Sequence, residues 1–254
     1  MLRNDPKFAV RLATSPDDVA RAQQLRYDVF VAELGSTGDG VDHHAKREAD
    51  HFDAFADHIL LEDAETGQLA GVYRLMTQAM AQVAGSFYSE AEFDMSPLKA
   101  SGHKLLELGR SCLHPTYRGG PAMLHLWSGI ADYVQANDID TLFGVASFAG
   151  TNATGLEQPL SYLHHHHSAP HNLTAKAQGR GAISMNLLPK NAIDRKAAIL
   201  AVPTLIKAYL RMGGTVGQGA YVDQAFNTID VCMILDSKAM SERAKASLTK
   251  KAVQ

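Results

Sequence analysis

A chain of 254 residues with 46% apolar and 20% charged residues can bury a substantial core, which excludes general disorder and fits one large domain or a domain with an elaboration. A formal net charge of -3 at pH 7, with the 12 histidines neutral, gives no global basic field, so nucleic acid is not an expected partner. Cys112 and Cys232 define no disulfide framework and fit a reducing cytoplasm, and with neither a signal-peptide h-region nor an apolar run of about 18 residues, any membrane contact is expected to be peripheral.

Phe8 to Ala13 alternates as a short strand. Ser15 then supplies an N-cap with Pro16, Asp17 and Asp18 in the first turn. Val19, Ala22, Leu25, Val29 and Phe30 follow at helical spacing and predict a helix to about Leu34. Gly35 to Asp53 is expected to be a charged loop, long enough to be functional. His58–Glu62 and Leu69–Thr77 predict a hairpin across Asp63 to Gly67. An apolar strand begins at Leu105, a glycine turn follows at Arg118-Gly119-Gly120, and a helix is expected from Pro121 to Ala136. Later strands are expected at Thr141–Phe148, Gly179–Leu188, Tyr221–Gln224 and Thr228–Leu235, with a helix over Val202–Met212 stopped by Gly213-Gly214. This mixture, without an internal repeat, predicts an α/β (α+β) domain over residues 1–236, a mixed twisted sheet flanked by helices on both faces. A basic helix or tail is expected over residues 237–254.

Leu105 to Gly120, LLELGRSCLHPTYRGG, is the most informative stretch. An apolar strand carrying an acid and an arginine, then a turn and a helix start, suits a thioester-binding acyltransferase. Attack of an amine on a thioester needs a proton acceptor, and Glu107 is the candidate. Backbone amides freed by a strand irregularity or a helix start can stabilise the oxyanion. In a regular strand Glu107 shares a face with Gly109 and Ser111, while Arg110 points the other way with Leu106, Leu108 and Cys112. A bulge near Gly109 would bring Glu107 and Arg110 onto one face. An ordinary ion pair holding a sheet is the alternative.

Several motifs in order carry a family resemblance: Leu25-Arg26-Tyr27-Asp28-Val29-Phe30, Asp50-x-x-Asp53 before Asp57-His58, Gly71-Val72-Tyr73-Arg74-Leu75, Phe87-Tyr88 with Glu92-Phe93, and Glu107-Leu108-Gly109-Arg110-Ser111. The chain from about Arg21 to Val231 resembles the ornithine-lipid N-acyltransferases, which have a GNAT-like fold and are related to the acyl-homoserine-lactone synthases. Transfer of a 3-hydroxyacyl chain from acyl carrier protein to the α-amine of ornithine, giving a lyso-ornithine lipid, is what the resemblance implies. It also implies that Arg26, Phe30, Asp50, Asp53, Arg74, Glu107 and Arg110 line or brace the acyl and amino-substrate site, with Ser147 and Phe148 beside them. Asp50 or Asp53 would hold the substrate ammonium and an arginine its carboxylate. A solvated loop is the plain alternative for the two acids.

Donor binding is expected at Ser111, Cys112, Leu113, Arg118, Gly119 and Gly120. Coenzyme A-dependent members cradle a pyrophosphate with a small-residue loop, whereas Pro121 here removes an amide and Met123 obstructs the approach. The acyl-phosphopantetheine of acyl carrier protein is therefore the expected donor, with no bound cofactor and Lys99, His103, Lys104 and Arg118 as a local basic patch. Tyr162 is a candidate to protonate the leaving thiolate, and His164 or His165 to hydrogen-bond the thioester or substrate. Pro170 breaks the helical spacing of His167 and His171, so no metal site is expected. The amphiphilic product, the helix Val202–Met212 and the basic residues from Lys238 to Lys251 predict weak association with the inner face of the cytoplasmic membrane. Glutamine as acceptor, a homoserine-lactone synthase, or a non-catalytic carrier-protein or lipid-binding module are the competing functions.

Overall fold

The computed structural model describes residues 7–38 and 40–238. In chain order it has β1 (Phe8–Leu12), α1 (Pro16–Arg26), a π-helical run (Tyr27–Glu33), β2 (Val41–Asp42), β3 (Arg47–Glu48), β4 (Asp57–Asp63), β5 (Leu69–Thr77) and α2 (Gln78–Ala84). Next come β6 (Phe93–Asp94), α3 (Ser96–Lys99), β7 (Leu105–Leu113), α4 (Ala122–Ala136), β8 (Thr141–Ala149) and α5 (Glu157–His167). The remainder holds β9 (Lys176–Ala177), β10 (Ala182–Ile183), α6 (Arg195–Ala201), α7 (Thr204–Arg211), β11 (Thr215–Val216), β12 (Ala220–Asp223) and β13 (Thr228–Asp236). The class is α/β, as the mixture of elements predicts. The chain forms two compact units, Met1–Gly85 with Glu107–Asp138 and Ser86–Leu106 with Ile139–Gln254. Beyond Lys238 the expected basic tail lies outside the described residues.

In the first unit the strand order is β1-β4-β5-β7. β1 pairs antiparallel with β4, from Phe8 opposite Asp63 to Leu12 opposite Ile59, and β4 with β5 makes the predicted hairpin. Side chains alternate across a strand, so Ile59 and Leu60 face opposite ways. A Cβ on Gly129 of α4 would touch Val10 and Ile59, whereas Leu60 and Val72 pack with Ala22, Leu25 and Val29. Helices therefore cover both faces of this unit's sheet. α1 begins where expected: the Ser15 hydroxyl accepts the Asp18 N–H at 3.2 Å. Arg11 then ties three elements together, reaching Asp18 at 2.6 Å and Glu62 at 2.9 Å. The helix predicted to run to Leu34 is present, but from Tyr27 its turns are π-helical.

In the second unit the order is β8-β13-β12-β10, with β11 beside β13. β8 and β13 pair antiparallel along their whole lengths. The predicted strand Gly179–Leu188 shrinks to β10. Gly179 has a left-handed φ of 75°, and the amides of Leu187 and Leu188 donate to Ser161 Oγ of α5 at 3.1 and 2.9 Å instead of joining a ladder. The predicted helix over Val202–Met212 is α7, preceded by α6. Pro203 separates the two because its ring cannot continue the α6 ladder.

Sheet and α4 pack tightly at Gly71, where an added Cβ would lie 2.5 Å from Leu113 Cδ2, 2.9 Å from Leu126 Cδ1 and 3.2 Å from the Cys112 carbonyl oxygen. Gly71→Ala is expected to lower stability by about 1–3 kcal/mol through overpacking, read as a fall in the urea midpoint at unchanged m.

Candidate active site

The charged segment expected to be a loop contains a small hairpin, β2 with β3, that turns on Asp42, whose carboxylate accepts the amides of His44 and Ala45 at 2.9 and 2.8 Å. Alternation along β3 leaves Arg47 exposed and buries Glu48. A single 3-10 turn then runs His51–Ala54, and Asp50-x-x-Asp53 is its reciprocal cap. The Asp50 carboxylate accepts the Phe52 amide at 2.9 Å, and that of Asp53 accepts the Asp50 amide at 3.4 Å. Both acids are thereby aimed inward.

There they meet three arginines from three elements. Arg26, at the end of α1, reaches Glu48 Oε2 through Nε at 2.5 Å and Asp53 Oδ1 through Nη1 at 2.8 Å. Arg74 of β5 reaches Asp50 Oδ1 at 2.5 Å and Asp53 Oδ1 at 2.9 Å. Arg110 of β7 reaches Glu48 Oε1 at 3.1 Å and Asp50 Oδ2 at 2.9 Å. Gln23 adds a hydrogen bond to Asp53 Oδ2 at 3.0 Å, and Phe52 lies under Arg74 with its centroid 5.6 Å from Cζ. His58 contacts the Asp53 carbonyl oxygen through Nε2 at 3.2 Å, and burial first of all keeps its imidazole below the ordinary histidine range.

Burial alone would raise the carboxyls, but the arginines outweigh it. Arg26 and Arg74 hold Asp53 well below the usual carboxylate range, and Arg74 with Arg110 does the same for Asp50. Asp53 accepts from Arg26, Arg74, Gln23 and the Asp50 amide, which uses the capacity of a carboxylate. Of the two acids expected to hold the substrate ammonium, Asp50 or Asp53, Asp53 is the one whose oxygens are the more fully engaged within the protein. Asp50 and Arg110, with side chains 19% and 9% exposed, are the members that reach outward.

The strand irregularity expected near Gly109 is present. Arg110 has φ +50°, a left-handed value inside β7. A Cβ on Gly109 would point at Arg74, 3.9 Å from Nε, so Gly109 faces the network, and so does the next side chain, Arg110. Two consecutive residues on one face reset the alternation. Counting back from Gly109 puts the buried Glu107 on that face as well. Downstream, Cys112 packs with Ala22, Leu25 and Val72, and Leu113 approaches Gly71 from the opposite side.

The donor-binding expectations therefore divide. Burial pushes the Cys112 thiol up to about 12, and its side chain belongs to the core, which leaves only its backbone for a donor. Arg118 is clasped by Glu33 at 2.6 and 2.7 Å and donates to the Leu113 carbonyl oxygen, while Gly119 supplies a left-handed turn at φ 74°. Lys99 pairs with Glu90 at 2.8 Å, and His103 Nδ1 lies 2.8 Å from Thr141 Oγ1, so three members of the expected basic patch have partners within the protein. Phe30 packs against the Ala22–Leu25 core cluster.

Ser147, Phe148, Tyr162, His164 and His165 lie in the second unit. Phe148 is buried and Ser147 exposed on β8. The buried Tyr162 hydroxyl lies 3.2 Å from His167 Nε2, and His165 Nε2 lies 2.9 Å from the Leu188 carbonyl oxygen, fastening the segment after β10. Burial lowers His164. The helix ends at His167, so His167 and His171 share no helical face. Glu48 is the network member that the sequence motifs did not single out; its alternation with Arg47 in a charged run was the available signal.

Residues 25–128, which span this constellation, match the model of the acetyltransferase (GNAT) domain, and the chain is an acyltransferase of that fold. The solved acyl-homoserine lactone synthase BjaI superposes with a TM-score of 0.55 at 13% identity, covering 94% of this chain and 89% of that one. The N-acyl amino acid synthase FeeM gives 0.50 at 12% identity, covering 94% and 96%. At this identity both likenesses are of fold alone. Sequence narrows the assignment: the chain is 50% identical over 249 residues to an L-ornithine N(alpha)-acyltransferase of Rhodobacter capsulatus, covering 96% of this chain and 95% of that one. A Brucella abortus protein of the same name is 40% identical over 241 residues, covering 92% and 86%. The chain belongs to the L-ornithine N(alpha)-acyltransferase family.

Removing one acid from the network leaves buried arginine charge uncompensated, so Asp53→Ala is expected to lose about 3–5 kcal/mol of stability. Because the folded state depresses Asp50 and Asp53, their contribution is full above the unfolded carboxylate pKa and is lost as pH falls below it. Urea unfolding as a function of pH should show wild-type stability falling through that acid window, with a shallower slope in Asp53→Asn.

Proposed function

We propose that this protein transfers a 3-hydroxyacyl chain from the phosphopantetheine of acyl carrier protein to the α-amine of ornithine. The acceptor is supported by the name its relatives share, and the donor by Pro121 and Met123 where a pyrophosphate cradle would need small residues. The observation that carries the chemistry is the left-handed Arg110, which sets Glu107, Gly109 and Arg110 on the face of β7 that the arginine–carboxylate network braces.

Glu107 accepts a proton from the α-ammonium, the neutral amine attacks the thioester carbonyl carbon to form the C–N bond, and as the C–S bond breaks the second proton shed by that nitrogen passes to the leaving thiolate, releasing the carrier thiol. Backbone amides beside the left-handed Arg110, where regular pairing is disturbed, are the candidate donors for the oxyanion. Asp50 and Arg110, at the outward edge of the network, orient the amino acid. Asp53, Glu48, Arg26 and Arg74 hold that edge in place. The N-acylated product is amphiphilic, so the protein works as a peripheral visitor to the cytoplasmic membrane. Among the described residues no helix is long and apolar enough to cross one.

Mass spectrometry of products from the purified chain, 3-hydroxyacyl carrier protein and a pool of amino acids tests this. One product, N-acylornithine, is expected, reduced by about 10²–10⁴-fold in Glu107→Gln. N-acylglutamine would move the acceptor, release of methylthioadenosine from added S-adenosylmethionine would indicate a lactone synthase, and no product from any donor would leave a binding module.

A further inference from the structure

A surface of the second unit has no part in the acyl-transfer chemistry. Helix α6 is seven residues long, and of these only Ala198 is buried. Its start is fixed by Asp194, whose carboxylate accepts the amides of Lys196 and Ala197 at 3.0 Å. Side chains four apart stack on one side of a helix, so Arg195 lies over Ile199 and Lys196 over Leu200, with the Lys196–Leu200 pair on the side opposite Ala198 and Ile199 flanking it. Leu200 is 70% exposed and Ile199 38%. A helix of a globular protein ordinarily turns such side chains to the core.

The surroundings are basic. Lys207 donates through Nζ to the Leu200 carbonyl oxygen at 3.0 Å, which sets an ammonium beside the exposed leucine. Lys190 and Arg195 both act on His166, disfavouring its charged form after burial has done so. From Lys190 to Arg211 there are five cations, Lys190, Arg195, Lys196, Lys207 and Arg211, and one acid, Asp194, in a chain whose net charge is -3. Asp194 is spent on the helix cap. α7 offers no equivalent face, because its Ile206 and Tyr209 are buried.

We propose that α6 docks on an anionic lipid bilayer, with Ile199 and Leu200 entering the boundary between headgroups and acyl chains and Lys190, Arg195, Lys196 and Lys207 meeting lipid phosphates. Charge complementarity and exposed aliphatic bulk select this partner together. An acidic protein helix would satisfy the cations but would hold Leu200 against charge. A bilayer supplies an anionic plane with an apolar phase beneath it. The proposal names the surface for the peripheral association described above. Its flotation readout needs neither donor nor acceptor, so a failure to float leaves the acyl-transfer assignment untouched.

Flotation of the full chain with phosphatidylglycerol–phosphatidylcholine vesicles, and with phosphatidylcholine vesicles alone, reads the binding. Wild type should float with the anionic vesicles in a salt-sensitive manner, and Ile199→Ser/Leu200→Ser should lower the partition coefficient by about tenfold. Lys196→Glu should lower it by about fivefold at low salt. Every protein keeps the basic residues after Lys238, so these losses report on α6. Circular dichroism and unchanged acylation of soluble substrates identify folded variants. Wild type that stays in the soluble fraction, or a double variant that floats as wild type does, would overturn the proposal. So would cation variants that weaken capture of acidic acyl carrier protein while leaving flotation unchanged.

Discussion

Six charges taken out of water at one place, Arg26, Glu48, Asp50, Asp53, Arg74 and Arg110, constrain most of the first unit. They come from the end of α1, from β3, from the 3-10 turn and its cap, and from β5 and β7, so none of these elements can shift without unpairing a buried group. Pairing of this kind offsets the desolvation it requires and leaves little net stabilisation compared with an apolar core of equal volume. Orientation is its larger contribution. Each carboxylate is shared by two arginines and each arginine by two carboxylates, which fixes direction as well as distance.

The bulge in β7 is the local counterpart of that constraint. A left-handed backbone at a non-glycine residue carries a cost of about 1–2 kcal/mol, and Arg110 accepts it while its guanidinium bonds Glu48 and Asp50. The same irregularity decides which side chains share a face. Without it Arg110 would point away from Glu107; with it Glu107, Gly109 and Arg110 share the face of β7 on which Arg74 approaches Gly109. A Cβ on Gly109 would reach ordinary van der Waals contact with the Arg74 guanidinium, 3.9 Å from Nε, so the strand and that guanidinium are neighbours at this position.

Regular elements were legible wherever their signals were local. Alternation marked β1, β4 and β5, the Ser15 cap marked α1, and the apolar run from Leu105 marked β7. The acid pair Asp50-x-x-Asp53 was visible, but not that its spacing is a cap, since reciprocal capping shows only once the 3-10 turn exists. Glu48 hid in a charged run that reads as solvated, because its burial depends on arginines distant in the chain. Gly179 to Leu188 misled for the opposite reason: its apolar residues suit a strand, yet Ser161 of α5 captures the backbone that a ladder would use. Both misses are tertiary choices among conformations that local sequence leaves open.

The π-helical run after α1 holds one more residue than an α-helix that turns through the same angle. Arg26 sits at the junction, and the next seven residues wind with one extra residue per turn relative to the helix that feeds them. Six residues at about 100° each in an α-helix turn through about as much as these seven do, so a deletion that restored ordinary winding would keep the direction of the chain beyond Glu33 and change which side chains of the run, Val29 and Val31 among them, face the core. The extra residue thus selects the inward-facing side chains of Tyr27–Glu33, while Arg26, which precedes the run, keeps its buried pairing with Glu48 and Asp53.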